Sequence, residues 1–326
     1  MKIIYVTNEY PGITPNYGGI AVVVKNEVEG FIRKGYIVEV ILLLQNKLTD
    51  VNLPSFLKPF YWPQNGRMKG IKVRYQLMKY LNSHYSKKDI IVCTDYAGLI
   101  PFRIKSKKIV QLHESLSLKS IKQKKKTSFI TFVLEYLTVI TSDRIRAVSK
   151  SVLLDTFRYF PFSKYRLAEV IFNGIDIYKE NDILKSNVRP ETNIIFIGKL
   201  SRLKGVDFLS EIINKVHSKL PEANFTLIGH DEMIAGISQK DEMLNEISAK
   251  DKIAIFERVE NNKINELIRN SQLLILPSRT EALPMVVIEA FANARPVVAF
   301  NVGGLSEMVD DGMNSSRDVG HSCAVQ

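Results

Sequence analysis

The chain has 326 residues and a formal net charge of +11. Its length is about twice that of a typical domain, so two domains are expected. Apolar residues make up 45% and charged residues 24%, which is typical of a globular protein and excludes a disordered or fibrous chain. No apolar run is long enough for a membrane-spanning helix or a signal peptide, so we expect a cytoplasmic protein. The two cysteines, Cys93 and Cys323, have no metal-ligand spacing and predict no disulfide framework.

Strand and helix patterns alternate from the first residue onward. An apolar strand is predicted over residues 3–7, followed by a helix with apolar residues at helical spacing from Ile20 that ends near Gly35. The further strands predicted in the first half cover residues 36–44, 89–94, 108–112, 144–148 and 169–173. This alternation is typical of a mostly parallel, doubly wound sheet.

The pattern starts again after the turn-forming sequence Asn173-Gly174-Ile175-Asp176. The strands predicted in the second half cover residues 193–198, 225–229, 253–256, 273–276 and 297–300, and the helices cover 206–220 and 262–270. We therefore predict an α/β protein with two doubly wound domains, 1–173 and 174–326. Ligands of open α/β sheets bind beyond the carboxyl ends of the strands, so we expect the domains to face each other across a cleft.

Two features of the first half are candidates for ligand binding. Gly18 and Gly19 lie between the first strand and its helix, where glycine lets the backbone approach a ligand closely. In isolation the pair is better explained as a tight turn. His113 follows the strand predicted at 108–112, and a histidine there can bind a ligand hydroxyl or carry a proton. A lone histidine is more often structural.

A basic loop leads from the first strand of the second domain into its helix. This loop, residues 198–205, contains Lys199, Arg202 and Lys204 beside exposed backbone amides. Such cations suit a diphosphate leaving group, because negative charge grows on it as the bond to it breaks. The alternative is a solvated basic turn.

Residues 277–307 carry the most information about function. A helix is predicted from Pro284, since proline suits the first helical position. Glu281 then lies in the loop before the helix, and Glu289 lies about one and a half turns inside it. Two carboxylates on either side of a helix N-terminus predict a site for a sugar, a diphosphate and a ribose in a row. The alternative is two surface glutamates.

The N-terminus of this helix is a candidate anion site. The amides of Met285 and Val286 have no partner within the helix, and the helix dipole adds a partial positive charge. Both features favour a phosphate at this position.

The second half resembles the retaining glycosyltransferases of family 4, which have the GT-B fold. The matching residues are, in order, Pro277-Ser278, Glu281, Glu289-Ala290, Pro296-Val297-Val298, Gly303-Gly304 and Glu307. The loop 198–205 is similar to the family's Gly-Arg-Leu, three residues, Lys-Gly, with Lys199 in place of the arginine. Asn173 to Asp176 is similar to its Asn-Gly-Val-Asp. The motifs fall in the family's order from residue 1 to about 314.

The resemblance implies two Rossmann-like domains and transfer of a sugar from a UDP- or GDP-linked donor to a glycan or lipid-linked acceptor, as in cell-envelope polysaccharide synthesis. It implies Glu281 and His113 as catalytic residues. The implied donor-binding residues are Gly18, Gly19, Lys199, Lys204, Met285, Val286 and Glu289. No cofactor or metal is expected, because lysines and helix termini can do the electrostatic work. No nucleic acid is expected, because no nucleic-acid-binding pattern occurs.

The end of the chain departs from the family. After Asp311-Gly312 the family continues with a strand and two to three helices, whereas this chain ends at Gln326 after a tail without apolar periodicity. We therefore expect the second domain to be incomplete, less stable and weakly active. Ala294 and Ser315 also stand where the family usually has glycine.

A basic segment precedes the apolar stretch Phe129–Leu134. Its lysines are Lys105, Lys107, Lys108, Lys119, Lys122, Lys124, Lys125 and Lys126. Lysines beside an aromatic and apolar helix favour contact with an anionic membrane surface, here the inner face of the membrane. A solvated loop followed by a core helix explains the segment equally well.

Other classes of protein stay open at this point. A pseudoenzyme that binds a nucleotide-sugar would share the phosphate contacts without transferring the sugar. A GT-B relative with another reaction, such as a sugar-nucleotide epimerase or a phosphorylase, would share the fold. A non-enzymatic membrane adaptor would not need Glu281.

Overall fold

The computed structural model describes residues 1–14, 17–46, 52–61, 69–94, 99–122, 126, 128–175, 192–309 and 324–325. The chain divides into two compact units, Met1–Gly174 and Ile175–Gln326. The boundary predicted from the sequence lies one residue earlier.

The first unit is built on a seven-stranded parallel sheet. Its strands are β1 (Lys2–Thr7), β2 (Ile37–Leu44), β3 (Leu57–Tyr61), β4 (Ile90–Thr94), β5 (Lys107–Leu112), β6 (Arg144–Ala147) and β7 (Leu167–Val170). Its helices are α1 (Gly19–Arg33), α2 (Lys69–His84), α3 (Leu116–Lys122), α4 (Phe129–Ile140) and α5 (Lys150–Tyr159). The strand order is β3-β2-β1-β4-β5-β6-β7, so the direction of winding reverses between β1 and β4.

Both faces of this sheet are covered. Ile4 belongs to a core cluster that includes Leu77 of α2, whereas Tyr5 belongs to a second cluster that includes Val24 of α1. Successive side chains of a strand point to opposite faces, so a sheet between two helical layers needs apolar residues at every position. This explains why residues 3–6 of β1 and residues 40–44 of β2 form continuous apolar runs.

The second unit repeats the arrangement. Its strands are β8 (Asn193–Ile197), β9 (Asn224–Ile228), β10 (Met233–Ile234), β11 (Ile237–Ser238), β12 (Ile253–Phe256), β13 (Leu273–Leu276), β14 (Val297–Phe300) and β15 (Ala324–Val325). Its helices are α6 (Val206–Lys219), α7 (Gln239–Glu246), α8 (Asn261–Asn270) and α9 (Met285–Ala292). The parallel sheet has the order β12-β9-β8-β13-β14-β15, while β10 and β11 form an antiparallel hairpin. Here the winding reverses between β8 and β13.

The predicted fold class, α/β with two Rossmann-like units, is confirmed, but several elements differ from the sequence predictions. The edge strand β3 was not predicted; it contains Pro59, which an edge strand tolerates because one side of it makes no ladder hydrogen bonds. Helix α7 was not predicted because it is short and mostly polar. Strand β7 covers Leu167–Val170 rather than residues 169–173.

Lys108 does not belong to the basic surface that the sequence predicted, because it is buried. Its side chain is only 1% exposed. The ammonium donates hydrogen bonds to the carbonyl oxygens of Ile100 and Phe102, each at 2.9 Å, and to Thr141 Oγ1. Burial lowers the pKa of Lys108 to about 8. Lys108 therefore fastens the end of α4 to the sheet and cannot reach a membrane.

The rest of the basic segment is only partly described. Lys119 forms an ion pair with Glu114 at 2.7 Å, and the side chains of Lys122, Lys124 and Lys125 lie outside the described residues. Lys126 is exposed, and the first turn of α4 presents Phe129 and Ile130, which are 78% and 59% exposed. No helix of the described residues has the length and apolarity to cross a bilayer. The membrane contact stays a prediction.

The apolar helix α4 carries one buried acid, Glu135, which has a structural role. Its carboxylate accepts hydrogen bonds from Ser115 Oγ at 2.8 Å and from the amides of Leu116 and Ser117 at 2.9 and 3.1 Å. These amides begin α3, where a negative charge is favourable. The acid on α4 thus caps the neighbouring helix directly after His113-Glu114.

Replacing Glu39 with glutamine should lower the free energy of unfolding at pH 7 by about 2 kcal/mol. Burial alone would raise the pKa of Glu39, but hydrogen bonds from Lys2, Lys58 and Tyr85, each at 2.7 Å, outweigh it and lower the pKa to about 2. A carboxylate with a lowered pKa stabilises the folded state at pH values above its ordinary pKa of 4.5. The stabilisation is lost as the pH falls from there towards 2.

Urea unfolding of the wild-type and Glu39→Gln proteins across this pH range checks the prediction. The two curves should converge in acid. As a control, Glu29→Gln removes an exposed helix partner of Lys25 at 3.8 Å and should change little. Equal stability of the Glu39→Gln and wild-type proteins at pH 7 would contradict the prediction.

Candidate active site

The two loops that follow β8 and β13 lie side by side at the switch point of the second sheet. The first runs through residues 198–205 and carries Lys199 and Lys204, and the second runs through residues 277–284 and carries Glu281. They touch at Gly205, where φ is +77° and a Cβ would lie 1.8 Å from the carbonyl oxygen of Pro277. Only glycine permits this approach.

Lys204 and Glu281 are in direct contact across these loops. Lys204 Nζ donates to Glu281 Oε1 at 2.6 Å, and Ser278 Oγ donates to the same oxygen at 2.7 Å. Glu281 is 8% exposed and Ser278 is fully buried. Ser201 Oγ caps the short 3₁₀ turn Arg202–Lys204 by accepting from the Lys204 amide at 3.4 Å, which orients the lysine.

The backbone of Glu281 is fixed from a third loop, which follows β14. The Gly304 amide donates to the Glu281 carbonyl oxygen at 3.0 Å. Gly303 has φ +54°, and a Cβ there would lie 2.0 Å from the same oxygen. The Gly-Gly pair predicted as part of the signature therefore supports Glu281 through close backbone packing.

Helix α9 starts one residue later than predicted, because Pro284 is its N-cap and Met285 is its first residue. No side chain of the described residues caps this helix, so the Met285 and Val286 amides remain available to an anion.

Glu289 lies inside α9 as predicted from the spacing. Among the described residues, no side chain or amide forms a hydrogen bond or ion pair with its carboxylate. Burial raises the pKa of Glu289. A partly buried carboxylate without donors among the described residues is stabilised by a ligand that brings hydroxyl groups to it.

Lys199 lies in the same loop as Lys204 but has a different partner. Its ammonium donates to Glu232 Oε1 at 2.7 Å, on an exposed part of the surface just before the hairpin β10–β11. The backbone at this place is tightly packed, since a Cβ on Gly229 would lie 1.9 Å from the Gly198 carbonyl oxygen. His230 follows β9, and its Nδ1 lies 3.1 Å from Glu257 Oε1.

Arg279 was not recognised in the sequence as a site residue. Its amide donates to the Leu203 carbonyl oxygen at 2.9 Å, and its guanidinium binds both carboxylate oxygens of Asp207 at 2.7 and 2.6 Å. The only sequence signal was its place between Ser278 and Glu281 in the signature segment. The partners are 72 residues away in the chain, so the pairing could not be read from spacing.

The three candidate residues of the first unit lie at or near the carboxyl edge of its sheet. The Gly18 amide donates to Glu9 Oε2 at 2.8 Å, so a carboxylate already occupies the start of α1. A Cβ on Gly19 would meet nothing within 4 Å, which leaves room for a ligand against the backbone.

His113 follows β5 and is 5% exposed. Burial, together with the nearby charge of Arg146, lowers the pKa of His113 to about 3. The imidazole is therefore neutral at pH 7. A neutral ring can form hydrogen bonds with hydroxyl groups, whereas proton uptake at neutral pH is unfavourable.

Both units therefore have candidate residues at the carboxyl edges of their sheets, and the second unit combines cations, free helix amides and two carboxylates. This donor set can hold an anion beside a polyhydroxylated group. The fold and the site define an α/β protein of the GT-B class.

Comparisons with known proteins agree with this class. Residues 191–320 match the family model of group 1 glycosyl transferases. An uncharacterized glycosyltransferase of Methanocaldococcus jannaschii is 26% identical over 96% of this chain and 84% of its own length. The alpha-maltose-1-phosphate synthase of Mycobacterium tuberculosis is 27% identical over 56% of this chain, which spans half of that relative.

Solved structures share the fold. Sucrose-phosphate synthase from Thermosynechococcus elongatus superposes with a TM-score of 0.74 over 95% of this chain and 83% of its own, at 16% identity. Anabaena HepE, solved in complex with UDP and glucose, superposes with a TM-score of 0.68 over 96% of this chain and 84% of its own, at 17% identity. The sequence relatives and the fold together support a glycosyltransferase of the group 1, GT-B type.

Proposed function

We propose that the protein is a retaining glycosyltransferase that moves a sugar from a nucleotide-sugar to a glycan or lipid-linked acceptor. The observation that carries the proposal is the Lys204–Glu281 contact of 2.6 Å at the switch point of the second sheet. A cation for the donor phosphate and an acid for the donor sugar meet there, where α/β sheets bind ligands.

In the proposed binding mode the diphosphate lies at the N-terminus of α9, against the Met285 and Val286 amides and within reach of Lys204. Lys199 would also bind the diphosphate after breaking its ion pair with Glu232. Glu281 accepts hydrogen bonds from hydroxyl groups of the donor sugar. Glu289, whose carboxylate has no partner among the described residues, accepts them from the ribose.

The reaction breaks the bond between the anomeric carbon and the diphosphate oxygen and forms a bond from the anomeric carbon to an acceptor oxygen. The bonding electrons leave with the diphosphate, and Lys204 and the α9 amides stabilise that charge. The Glu281 carboxylate stabilises the positive charge that develops on the sugar. For retention, the acceptor attacks from the face of the leaving phosphate, which takes the acceptor proton, so no protein nucleophile is needed.

The donor is proposed to carry UDP or GDP. Anabaena HepE, which shares the fold, was solved in complex with UDP and glucose, and this supports testing UDP-sugars first. The acceptor is proposed to belong to the cell envelope, where the exposed Phe129 and Ile130 beside Lys126 would suit a lipid-linked substrate at the inner face of the membrane.

A panel of UDP- and GDP-sugars tests the proposal by thermal unfolding. At a concentration 100 times its dissociation constant, the correct donor should add about 2.7 kcal/mol of apparent stability, since it binds only the folded chain. Glu289→Gln, which keeps one acceptor oxygen but loses the second and the negative charge, should lower this gain. Glu266→Gln, on the exposed side of α8, should leave it unchanged.

Transfer or hydrolysis of the stabilising donor then separates the candidate functions. A donor that binds but is neither transferred nor hydrolysed indicates a pseudoenzyme, and conversion to an isomeric nucleotide-sugar indicates an epimerase. If no nucleotide-sugar stabilises the chain, the proposal is wrong.

A further inference from the structure

Arg279 connects the two loops that carry Lys204 and Glu281. It lies two residues before Glu281, and its contacts all reach the segment 202–208 that contains Lys204. The amide donates to the Leu203 carbonyl oxygen at 2.9 Å, and the guanidinium also donates to the Arg202 carbonyl oxygen.

The guanidinium is held in one orientation from several directions. It makes a two-point contact with Asp207, at 2.7 and 2.6 Å, and lies over the ring of Phe208, 4.1 Å from its centroid. Phe208 packs edge-on against Phe300 of β14, with the ring centroids 5.2 Å apart. A guanidinium that donates to both oxygens of one carboxylate and stacks on an aromatic ring has little freedom to rotate. The hydrogen bond from Arg279, opposed in part by burial, lowers the pKa of Asp207.

The described contacts between the two loops are few. Apart from Arg279, they are the backbone approach of Gly205 to Pro277 and the Lys204–Glu281 pair itself. When a donor phosphate takes Lys204, that pair weakens. The described hydrogen bonds of Arg279 involve neither the Lys204 ammonium nor the Glu281 carboxylate, so a ligand that binds those two groups does not compete with them.

We infer that Arg279 is a positioning residue, which keeps Lys204 and Glu281 at a fixed separation so that one ligand can bind both. The inference rests on the proposed function. The residue acts through Lys204 and Glu281, and its effect should therefore depend on their presence.

The test is Arg279→Lys, which keeps the positive charge but cannot make both bonds to Asp207. The dissociation constant of the donor identified in the panel should rise about tenfold, and the thermal midpoint should fall by no more than about 4 °C, because a partly exposed ion pair adds little to stability. Asp207→Asn should shift donor affinity in the same direction. Arg144→Lys, which alters an exposed ion pair with Glu169 in the first unit, should change neither the donor affinity nor the thermal midpoint.

A double-mutant cycle distinguishes positioning from general stability. In a Lys204→Met background, Arg279→Lys should weaken donor binding less than twofold, because the lysine it positions is gone. A tenfold loss in both backgrounds overturns the inference, as does wild-type donor affinity for Arg279→Lys. If the unaltered chain binds no nucleotide-sugar, the proposed function fails first; if it binds one and Arg279→Lys binds it equally well, only this inference fails.

Discussion

Replacing Glu281 with glutamine should lower the rate of sugar transfer by about 100- to 1,000-fold. Glutamine has nearly the same shape and can still accept a hydrogen bond from Ser278. It carries no negative charge, so it neither pairs with Lys204 nor stabilises positive charge on the anomeric carbon. The effect should fall mainly on kcat, because the charge is needed most in the transition state.

Transfer rates at saturating donor, with thermal unfolding measured in parallel, check this prediction. The control is Glu211→Gln on α6, which removes an exposed partner of Lys215 and should leave the rate unchanged. A Glu281→Gln protein that is folded and as active as the wild type would rule out the assigned role.

The change Gly205→Ala should destabilise the second unit by about 3 to 5 kcal/mol. Alanine is strained at φ +77°, and its Cβ would lie 1.8 Å from the carbonyl oxygen of Pro277. Relief of that overlap requires the loops after β8 and β13 to separate. Transfer activity should be lost together with stability.

Gly236→Ala provides the matched control for Gly205→Ala. Gly236, in the turn of the β10–β11 hairpin, has φ +82°, but a Cβ added there would meet nothing within 4 Å. It should therefore show only the conformational cost, about 1 to 2 kcal/mol. Urea unfolding of both variants separates the two contributions, and equal losses would show that the Pro277 contact is unimportant.

Local pattern was enough to predict most of the fold. Buried parallel strands are continuous apolar runs and their helices have apolar residues at helical spacing, so the alternation was visible without any contact information. Polar or proline-containing elements, such as α7 and β3, have no such pattern.

Position 294 shows what a departure from the resembling family means in the structure. The family usually has glycine there, and Ala294, just after α9, adopts φ +53°, a conformation that favours glycine.

Partners across the site could not be predicted in the same way. Lys204 and Glu281 were both selected from the sequence, but their mutual contact joins residues 77 positions apart. The same applies to Arg279 with Asp207. Lys108 was misassigned to a surface because it stands among lysines in the sequence, while its neighbours in space are carbonyl oxygens.

In the proposed binding mode, the Lys204–Glu281 pair also determines which ligands the site accepts. An inorganic phosphate that takes the ammonium leaves a buried carboxylate with only the hydroxyl of Ser278, which is unfavourable. A ligand that carries both phosphates and hydroxyl groups can bind the Lys204 ammonium and the Glu281 carboxylate at the same time. With the proposed binding mode, the chain should therefore bind simple anions weakly, and the difference in affinity between a nucleoside diphosphate and its sugar conjugate measures that selectivity.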